Sequence, residues 1–347
     1  VEPTGDVVEV EEGQTILDAS LRQGVWLPFA CGHGTCGTCK VQVLEGDVEI
    51  GDASPVALMD MERDEGKVLA CCAIPESDLT IEADIDVDPD FMGFPIEDFQ
   101  ATVVAIYDLS PTIKGVRFEL DHPIEFQAGQ YINLNMPGVD GARAFSIANK
   151  PSDSSVLELH VRRVPEGAGT GYIHEQLKVG DTLQLSGPYG QFFTRKSAPE
   201  DLIFIAGGSG LSSPQSMVLD LLEHGDTRQI TLLQGARNLS ELYNRELFER
   251  LAKEHENFTY VPALDNPLPE DNWEGFSGYV HEAAIDHFNG LVAEHKAYLC
   301  GPPPMIDAAI TALMRGRLFE RDIDMERFLT AADGAEGGTI SALFKKI

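Results

Sequence analysis

Three cysteines within nine residues constrain this chain more than any other feature. Cys31, Cys36 and Cys39 have the spacing C-x4-C-x2-C, glycines lie between them, and the adjacent pair Cys71 and Cys72 follows later. Three thiols at this spacing with a distant fourth are typical of a [2Fe-2S] cluster. Glycines suit such a loop because they accept positive φ and let amide N–H groups approach the sulfur atoms. The sequence therefore predicts a four-thiolate iron–sulfur site.

Two other kinds of cysteine site fit the pattern less well. A structural zinc site usually has two paired knuckles, whereas the fourth ligand here stands apart from the first three. Disulfides are typical of small secreted domains, but this chain has 347 residues and an acidic amino-terminal stretch where a signal peptide would be positively charged. The residues alone leave both Cys71 and Cys72 open as the fourth ligand, because neighbouring side chains on an extended backbone point in opposite directions.

The charge of the chain limits its partners. Its 57 acidic and 25 basic residues give a net charge of −32, which would repel nucleic acid and anionic membranes. The acidic surface either docks a protein partner with a basic face or serves only solubility. The sequence has no apolar run long enough to span a membrane. Because four of the six cysteines are assigned to a cluster, we expect a reducing, cytoplasmic location.

Changes in residue pattern divide the chain into three predicted domains. Residues 1–88 hold the cysteine loop among short strands, and residues 89–97 form a linker after an acidic run. Many short β-rich runs in residues 98–198 indicate an antiparallel barrel or sandwich. Residues 199–347 alternate buried apolar runs with amphipathic segments, which predicts a parallel, doubly wound sheet.

Local signals also predict individual elements. The valines at 7, 8 and 10 indicate a strand, and Thr15 is expected to cap a short helix that ends at Gly24. A helix is predicted over 172–178, and another begins with Ser213 as its cap and Pro214 at its first position. A last strand is predicted over 327–330.

Two glycine-containing motifs in the third domain indicate a nucleotide site. The apolar run 202–206 leads directly into Gly207, Gly208, Ser209 and Gly210 and then into a helix. Such a turn lets a pyrophosphate approach backbone amides and the positive end of the helix. Later, Cys300, Gly301 and Pro302 follow another buried strand, at the edge where such sheets bind ligands.

Two motifs in the second domain are compatible with a flavin. In the run Arg143-Ala-Phe145-Ser146, an arginine could bind a pyrophosphate, an aromatic ring could stack on a flavin, and a hydroxyl could bond a ring nitrogen. The second motif, at 167–172, contains Gly169 and Thr170. Taken singly, these motifs fit equally a strand residue, a core phenylalanine and a turn.

Together the motifs resemble a known family. R-x-F-S, G-x-x-T-x-Y, G-G-S-G-L and C-G-P-P-P-M occur in the order seen in the ferredoxin-NADP reductase superfamily, over residues 98–347. Residues 1–88 resemble a plant-type ferredoxin, and the run 68–75 matches its pattern with Cys71 as the ligand. The whole chain resembles the reductase component of a bacterial multicomponent oxygenase. The runs 177–183 and 186–193 look closest to phenol hydroxylase reductases, which serve a di-iron hydroxylase.

The resemblance implies a multidomain fold and a set of cofactor contacts. The fold would combine an α+β β-grasp ferredoxin domain, an antiparallel β-barrel FAD domain and an α/β doubly wound NAD domain. Ser146, near the flavin N5, and Cys300, near the nicotinamide, would be the catalytic residues. The FAD contacts would be Arg143, Phe145, Ser146, His160, Val161, Arg162, Gly169 and Thr170. The nucleotide contacts would be Gly207, Gly208, Ser209, Gly210, Asp265, Cys300, Gly301 and Pro302. An aromatic cover for the flavin would be Phe344.

The choice between NADH and NADPH depends on two residues of opposite charge. Binding the extra phosphate of NADPH calls for a basic pocket. Asp265 stands where phosphate-binding relatives have a Ser-Arg pair and would repel a phosphate, whereas Arg237 is positioned to attract one. The sequence favours NADH.

These parts imply an electron relay. A hydride carries two electrons whereas a [2Fe-2S] centre accepts one, so a flavin must stand between NADH and the cluster. We expect a monomeric reductase that passes these electrons to an oxygenase component. Two alternatives stay open: a reductase for a Rieske-type dioxygenase or another acceptor, and a redox-sensing or docking protein without turnover.

Overall fold

The structure, a computed structural model, describes residues 1–29, 32, 34–85 and 88–328. The described chain forms two compact units, one from Val1 to Glu97 and the other beginning at Asp98. The predicted ligand Cys31 and the proposed flavin cover Phe344 lie outside the described residues. No helix in the described ranges is long and apolar enough to cross a membrane.

The first unit is a small α+β fold. Its helices are α1 (Ile16–Arg22) and α2 (Asp60–Asp64). Its strands are β1 (Lys40–Glu45), β2 (Val48–Glu49), β3 (Lys67–Leu69), β4 (Ile74–Pro75) and β5 (Thr80–Glu82). The antiparallel sheet has the order β3-β1-β5, and β2 pairs with β4. As predicted, Thr15 caps α1, because its Oγ1 accepts a hydrogen bond of 3.3 Å from the amide of Asp18.

The strand predicted from the valines at 7, 8 and 10 is wrong. The structure assigns residues 6–10 to no strand, and Val7 is 88% exposed. The sheet is instead extended by Glu2, whose amide donates to Ile81 and whose carbonyl accepts from Ala83. Val7 and Val8 are adjacent and would point to opposite faces of a strand, so the segment offers only the pair Val8 and Val10 on one face, too short an apolar face to fix a strand in the sheet.

The second unit begins with a closed antiparallel sheet. It contains β6 (Glu97–Asp108), β7 (Ile113–Leu120), β8 (Tyr131–Asn135), β9 (Arg143–Ser146), β10 (Val156–Arg162), α3 (Ala168–Glu175) and β11 (Thr182–Tyr189). The strand order is β10-β7-β6-β11-β8-β9. A bridge between Ile147 and Leu159 joins the two edges, so the sheet closes into the predicted barrel around an apolar core.

Helix α3 begins earlier than predicted, at Ala168 and not at 172. The amide of Gly171 donates to the carbonyl of Gly167, and Thr170 Oγ1 accepts from the amide of Val164. Glycine is a poor helix former, so the glycine-rich start gave no helical signal. Burial of Ile173 in the barrel core stabilises this turn.

The second unit continues into a parallel sheet covered by helices. Its strands are β12 (Asp201–Gly207), β13 (Ile230–Ala236), β14 (Phe258–Leu264), β15 (Phe276–Ser277), β16 (His295–Gly301) and β17 (Ile323–Arg327). Its helices are α4 (Ser212–Glu223), α5 (Arg245–Glu254), α6 (Val280–His287) and α7 (Pro303–Arg315). The strand order β15-β14-β13-β12-β16-β17 confirms the doubly wound prediction. The order reverses between β12 and β16, where such sheets form a ligand crevice.

Two predicted boundaries in this part are wrong. The last strand ends at Arg327, where the prediction began it, because a half-exposed edge strand with alternating acidic residues lacks a buried-strand signal. Helix α4 begins at Ser212, directly after a 3-10 turn, and not at Pro214. Proline is tolerated there because the first amides of a helix have no intrahelical partner.

Candidate functional site

The first site is the cysteine loop. Cys39 is buried, and its Sγ lies 3.2 Å from Sγ of Cys71. The amide of Gly34 donates to the same Cys71 sulfur at 3.2 Å. Cys72 is a neighbour, with its Sγ 3.6 Å from that of Cys71, and Cys36 is exposed. The structure therefore brings Cys71 against Cys39, as the predicted ligand set requires.

The loop packs tightly against the segment that follows it. A Cβ on Gly34 would lie 2.6 Å from Sγ of Cys72, and a Cβ on Gly37 would lie 2.9 Å from the carbonyl of Ala57. Both glycines also have positive φ, so no other residue fits without displacing its neighbours. Sulfur donors and an amide directed at sulfur suit a [2Fe-2S] cluster. In the described ranges no three Cys, His, Asp or Glu side chains converge on a metal site, and the predicted ligand Cys31 is not among them.

The second site lies on the barrel at β9 and α3. The Arg143 guanidinium is exposed and donates only to carbonyl groups, those of residues 140–142. A Cβ on Gly169 would lie 3.0 Å from Cγ of Arg143 and 2.9 Å from Cε of Met136. Arg143 therefore lies against the amino-terminal turn of α3. A cation beside helix amides is suited to the pyrophosphate of FAD.

The other β9 residues and Thr170 have different surroundings. Phe145 is half-buried and packs on the barrel core, so part of its ring stays available. Ser146 is buried. The Thr170 hydroxyl is used within its own turn, where it accepts from Val164 and lies 3.4 Å from the carbonyl of Gly167. Thr170 thus shapes the turn that holds Gly169 beside Arg143.

The third site is a polar cluster around the partly buried Glu326, near the end of β17. Its Oε2 accepts hydrogen bonds from Ser146 at 3.1 Å and from Ser213 at 2.9 Å, and Sγ of Cys300 lies 3.5 Å away. Burial raises the pKa of Glu326, although the three donors oppose the effect. Burial also raises the pKa of Cys300 well above its ordinary value, which keeps the thiol protonated. The two predicted catalytic residues, Ser146 and Cys300, are therefore bridged by one carboxyl group.

Sequence analysis missed Glu326 and Ser213. Glu326 lies in an edge strand of an acidic chain, and no local motif distinguishes it from the other carboxylates. Its position after the last buried strand, at the ligand-binding edge of the sheet, was the one signal that pointed to it.

The glycine turn after β12 lies directly against the end of β16. A Cβ on Gly210 would lie 2.4 Å from the carbonyl of Cys300, and a Cβ on Gly207 would lie 2.4 Å from Sδ of Met305. Gly208 has φ +56° and Ser209 is buried. This close approach leaves backbone amides and the amino end of α4 at the crevice, an arrangement that fits a dinucleotide pyrophosphate. Gly301 and Pro302, which leads into α7, form the facing wall.

The predicted flavin contacts on β10 lie on two faces of the strand. The Val161 side chain is buried in the barrel core, and the His160 side chain is fully buried on the opposite face of the strand. Arg162 is exposed and reaches the glycine turn, where its Nη1 would lie 3.0 Å from a Cβ on Gly208. The Arg162 guanidinium makes no hydrogen bond or ion pair with any residue in the described ranges. It is therefore available to an anion at the turn.

Asp265 and Arg237 lie together at the carboxyl ends of β14 and β13. The amide of Asp265 donates to the carbonyl of Ala236, and the amide of Asn266 donates to that of Arg237. Both charged side chains are exposed. The structure thus brings together the two residues whose charges favour opposite nicotinamide nucleotides.

Three protein families match successive parts of the chain. Residues 1–76 match a 2Fe-2S iron-sulfur cluster binding domain. Residues 100–194 match an oxidoreductase FAD-binding domain, and residues 204–311 match an oxidoreductase NAD-binding domain. These matches follow the order of the cysteine loop, the barrel and the parallel sheet along the chain.

Relatives align with the chain over its full length. The chain is 70% identical over all of its 347 residues to the phenol 2-monooxygenase reductase component DmpP of Pseudomonas sp. strain CF600, and covers 98% of that protein. It is 67% identical over the same length to the phenol hydroxylase P5 protein of Acinetobacter pittii strain PHEA-2, again covering 98%. The crystal structure of the Amycolatopsis reductase GcoB matches with a TM-score of 0.82 and 35% identity, over 94% of this chain and 98% of that one.

Proposed function

This chain belongs to the family of iron–sulfur flavoprotein reductase components that serve multicomponent oxygenases, and on that premise we propose that it carries electrons from NADH to the hydroxylase of a phenol monooxygenase. The observation that carries the proposal is the Glu326 carboxyl, which joins Ser146 of the barrel to Cys300 of the parallel sheet. A flavin held by the barrel and a nicotinamide held by the sheet would meet at this group. When bound, FAD takes the electron pair of a hydride and releases single electrons, which the cluster accepts one at a time.

On the flavin side, Arg143 and the first turn of α3 hold the pyrophosphate, with Gly169 allowing the close approach. Phe145 offers an aromatic face, and the Ser146 hydroxyl, held by Glu326, lies where a ring nitrogen would need a partner.

On the nucleotide side, the turn from Gly207 to Gly210 and the wall from Cys300 to Pro302 hold NADH. Arg162 extends from the barrel and neutralises charge on the pyrophosphate at Gly208. Asp265 disfavours the additional phosphate of NADPH by charge repulsion, which supports NADH as the donor.

Electrons leave from the cysteine loop. Cys36 is exposed, and the adjoining segment carries three exposed apolar side chains, Val56 (90%), Met59 (51%) and Met61 (65%). We call these three the apolar patch. Its buried neighbour Ala57 lies against Gly37 of the loop.

Exposed carboxylates flank this patch in the chain. Asp52, Asp60 and Asp64 make no ion pair with any residue that the structure describes. An apolar centre within a charged rim is the usual anatomy of a docking surface. The partner it fits is the oxygenase component, presenting an apolar recess with basic residues around it.

The finer organisation is part of the same proposal. The ferredoxin domain spans 1–88, the linker 89–97, the FAD domain 98–198 and the NAD domain 199–347. The protein acts as a monomer in the cytoplasm, where its cysteines stay reduced.

An anaerobic absorption titration with NADH tests the function. The flavin bands and the cluster absorption should both bleach with about 1.5 equivalents of NADH, since the two centres together hold three electrons. The reduced protein should then reduce a phenol hydroxylase component and not a Rieske-type dioxygenase. Absence of bleaching by either nicotinamide nucleotide would overturn the reductase assignment and favour the sensing or docking protein.

A further inference from the structure

A buried hydrogen-bonded chain runs from the barrel to the glycine turn of the NAD domain. It starts at Glu158 on β10, whose Oε2 accepts from Nε of Arg117 at 2.8 Å. Its Oε1 accepts from the Tyr107 hydroxyl at 2.7 Å and lies 3.1 Å from Nε2 of His160. Burial would raise the pKa of Glu158, but hydrogen bonds from His160 and Tyr107 and the charge of Arg117 hold it at about 2. Glu158 is therefore an ionised acceptor that fixes the His160 ring.

The chain continues from His160 to Tyr243, which follows β13. Nδ1 of His160 lies 3.2 Å from the Tyr243 hydroxyl oxygen, and the two rings are edge to face at 5.3 Å. Because the hydroxyl has one proton and directs it to Gly208, this contact is a hydrogen bond in which Nδ1–H of His160 donates and the hydroxyl oxygen accepts. The Tyr243 hydroxyl donates to the carbonyl of Gly208 at 3.2 Å. Burial raises the pKa of Tyr243 well above its ordinary value, so the hydroxyl keeps the proton that it donates.

Gly208 is the residue of the turn whose backbone conformation most needs to be fixed by a hydrogen bond. Its φ of +56° lies in the left-handed region, and a glycine in solution samples many other conformations. Fixing its carbonyl also fixes the plane of the peptide bond that follows, and with it the amide of Ser209. Without this hydrogen bond, ordering of the turn would oppose nucleotide binding.

We propose that Tyr243, held by His160 and Glu158, is a positioning residue for NADH: its hydrogen bond to the Gly208 carbonyl preorganises the turn that receives the pyrophosphate. This inference rests on the proposed function, because it concerns the same nucleotide site. It assigns His160 to the support of the nucleotide turn and not to flavin contact.

Tyr243→Phe in the full-length, cofactor-loaded protein tests the proposal. The substitution removes one hydroxyl and keeps the ring, so flavin content and melting temperature should change little. The KM for NADH and the Kd for NAD⁺ should both rise about fivefold, which corresponds to about 1 kcal/mol, while kcat stays within about twofold. His160→Gln should raise both constants in the same direction, because it loosens Tyr243.

Tyr298→Phe is the matched control. It also removes a buried tyrosine hydroxyl with a backbone partner, the amide of Arg195, but that hydroxyl makes no contact with the glycine turn. Its KM and Kd should equal those of the wild type. Equal Kd values for Tyr243→Phe and the wild type would overturn the inference, as would equal increases in both tyrosine variants. If the wild-type protein is not reduced by NADH, the proposed function itself fails.

Discussion

The hydroxyl of Ser146 donates a hydrogen bond of 3.1 Å to the carboxyl group of Glu326, 180 positions later in the chain. The same carboxyl oxygen accepts from Ser213 and lies 3.5 Å from Sγ of Cys300. One partly buried carboxyl group thereby sets the orientation of both predicted catalytic side chains.

Glu326→Gln should slow flavin reduction by saturating NADH about tenfold or more. The amide keeps the volume of the side chain but offers an N–H where the serine hydroxyls need an acceptor, and hydrogen bonds to a charged group are worth about 1.5–3 kcal/mol. Anaerobic stopped-flow absorption measures the rate. Ser213→Ala is the control, because it removes one donor and leaves Ser146 and Cys300 bridged. A wild-type rate in Glu326→Gln would contradict this role.

Cys71→Ser should lose or alter the cluster while NADH still reduces the flavin. The sulfur of Cys71 faces Cys39 and accepts the Gly34 amide, so it is the better placed of the adjacent thiols. Iron content, visible absorption and electron paramagnetic resonance after reduction check the outcome. Cys72→Ser, the matched variant, should keep an unchanged cluster signal. The reverse pattern would transfer the ligand assignment to Cys72.

Asp265→Asn should shift nucleotide preference towards NADPH. Removing a negative charge beside the additional phosphate should lower the kcat/KM ratio of NADH to NADPH about tenfold, or about 1.4 kcal/mol. Steady-state dye reduction with each nucleotide measures the ratio. Glu270→Gln removes an exposed carboxylate later in the same loop and should leave the ratio unchanged. An unaltered ratio in Asp265→Asn would overturn the role of Asp265 in nucleotide preference.

Met59→Glu combined with Met61→Glu should slow electron delivery to the hydroxylase component about tenfold or more. The change places charge at the centre of the apolar patch, where docking would have to desolvate it. Single-turnover mixing of the reduced protein with the hydroxylase measures delivery, and NADH reduction of the flavin and cluster should stay normal. Val7→Glu is the control, since Val7 is more exposed than either methionine, belongs to the same unit and lies outside the patch. Unimpaired electron delivery in the double variant would exclude the apolar patch as the docking surface for the hydroxylase.

Glu158 should make the stability of the second unit depend on pH in the acid range. Its pKa is about 2 in the folded protein and about 4.5 when unfolded, so its contribution is complete above about 4.5 and is lost as the pH falls through about 2. The shift corresponds to on the order of 3 kcal/mol. Denaturant unfolding followed by flavin release, compared between wild type and Glu158→Gln, measures it. Parallel stability profiles for the two proteins below about pH 4.5 would refute the prediction.

Local sequence patterns were enough to predict the cofactor-binding loops, because each loop is encoded by a motif of a few consecutive residues. The cysteine spacing, the glycine turn after a buried run and the R-x-F-S motif each specify a ligand type. Tight contacts at Gly34, Gly169 and Gly210 agree with these expectations, since each glycine lies where a Cβ would collide. Predicted element boundaries were less accurate where glycines at the start of a helix gave no helical signal, as in α3. They were also less accurate where an edge strand is half-exposed, as in β17.

The sequence by itself determined the order of the domains, the types of cofactor and the loops that approach them, because these follow from short-range spacing and periodicity. Only the tertiary structure decided that Glu326 joins Ser146 to Cys300, that Arg162 reaches the glycine turn, and that Tyr243 supports Gly208. These contacts join residues far apart in the chain. The sequence around a carboxylate or a tyrosine does not identify the distant residue with which it will form a hydrogen bond. Closure of the barrel and burial against the parallel sheet select those partners, since a buried polar group must be hydrogen-bonded.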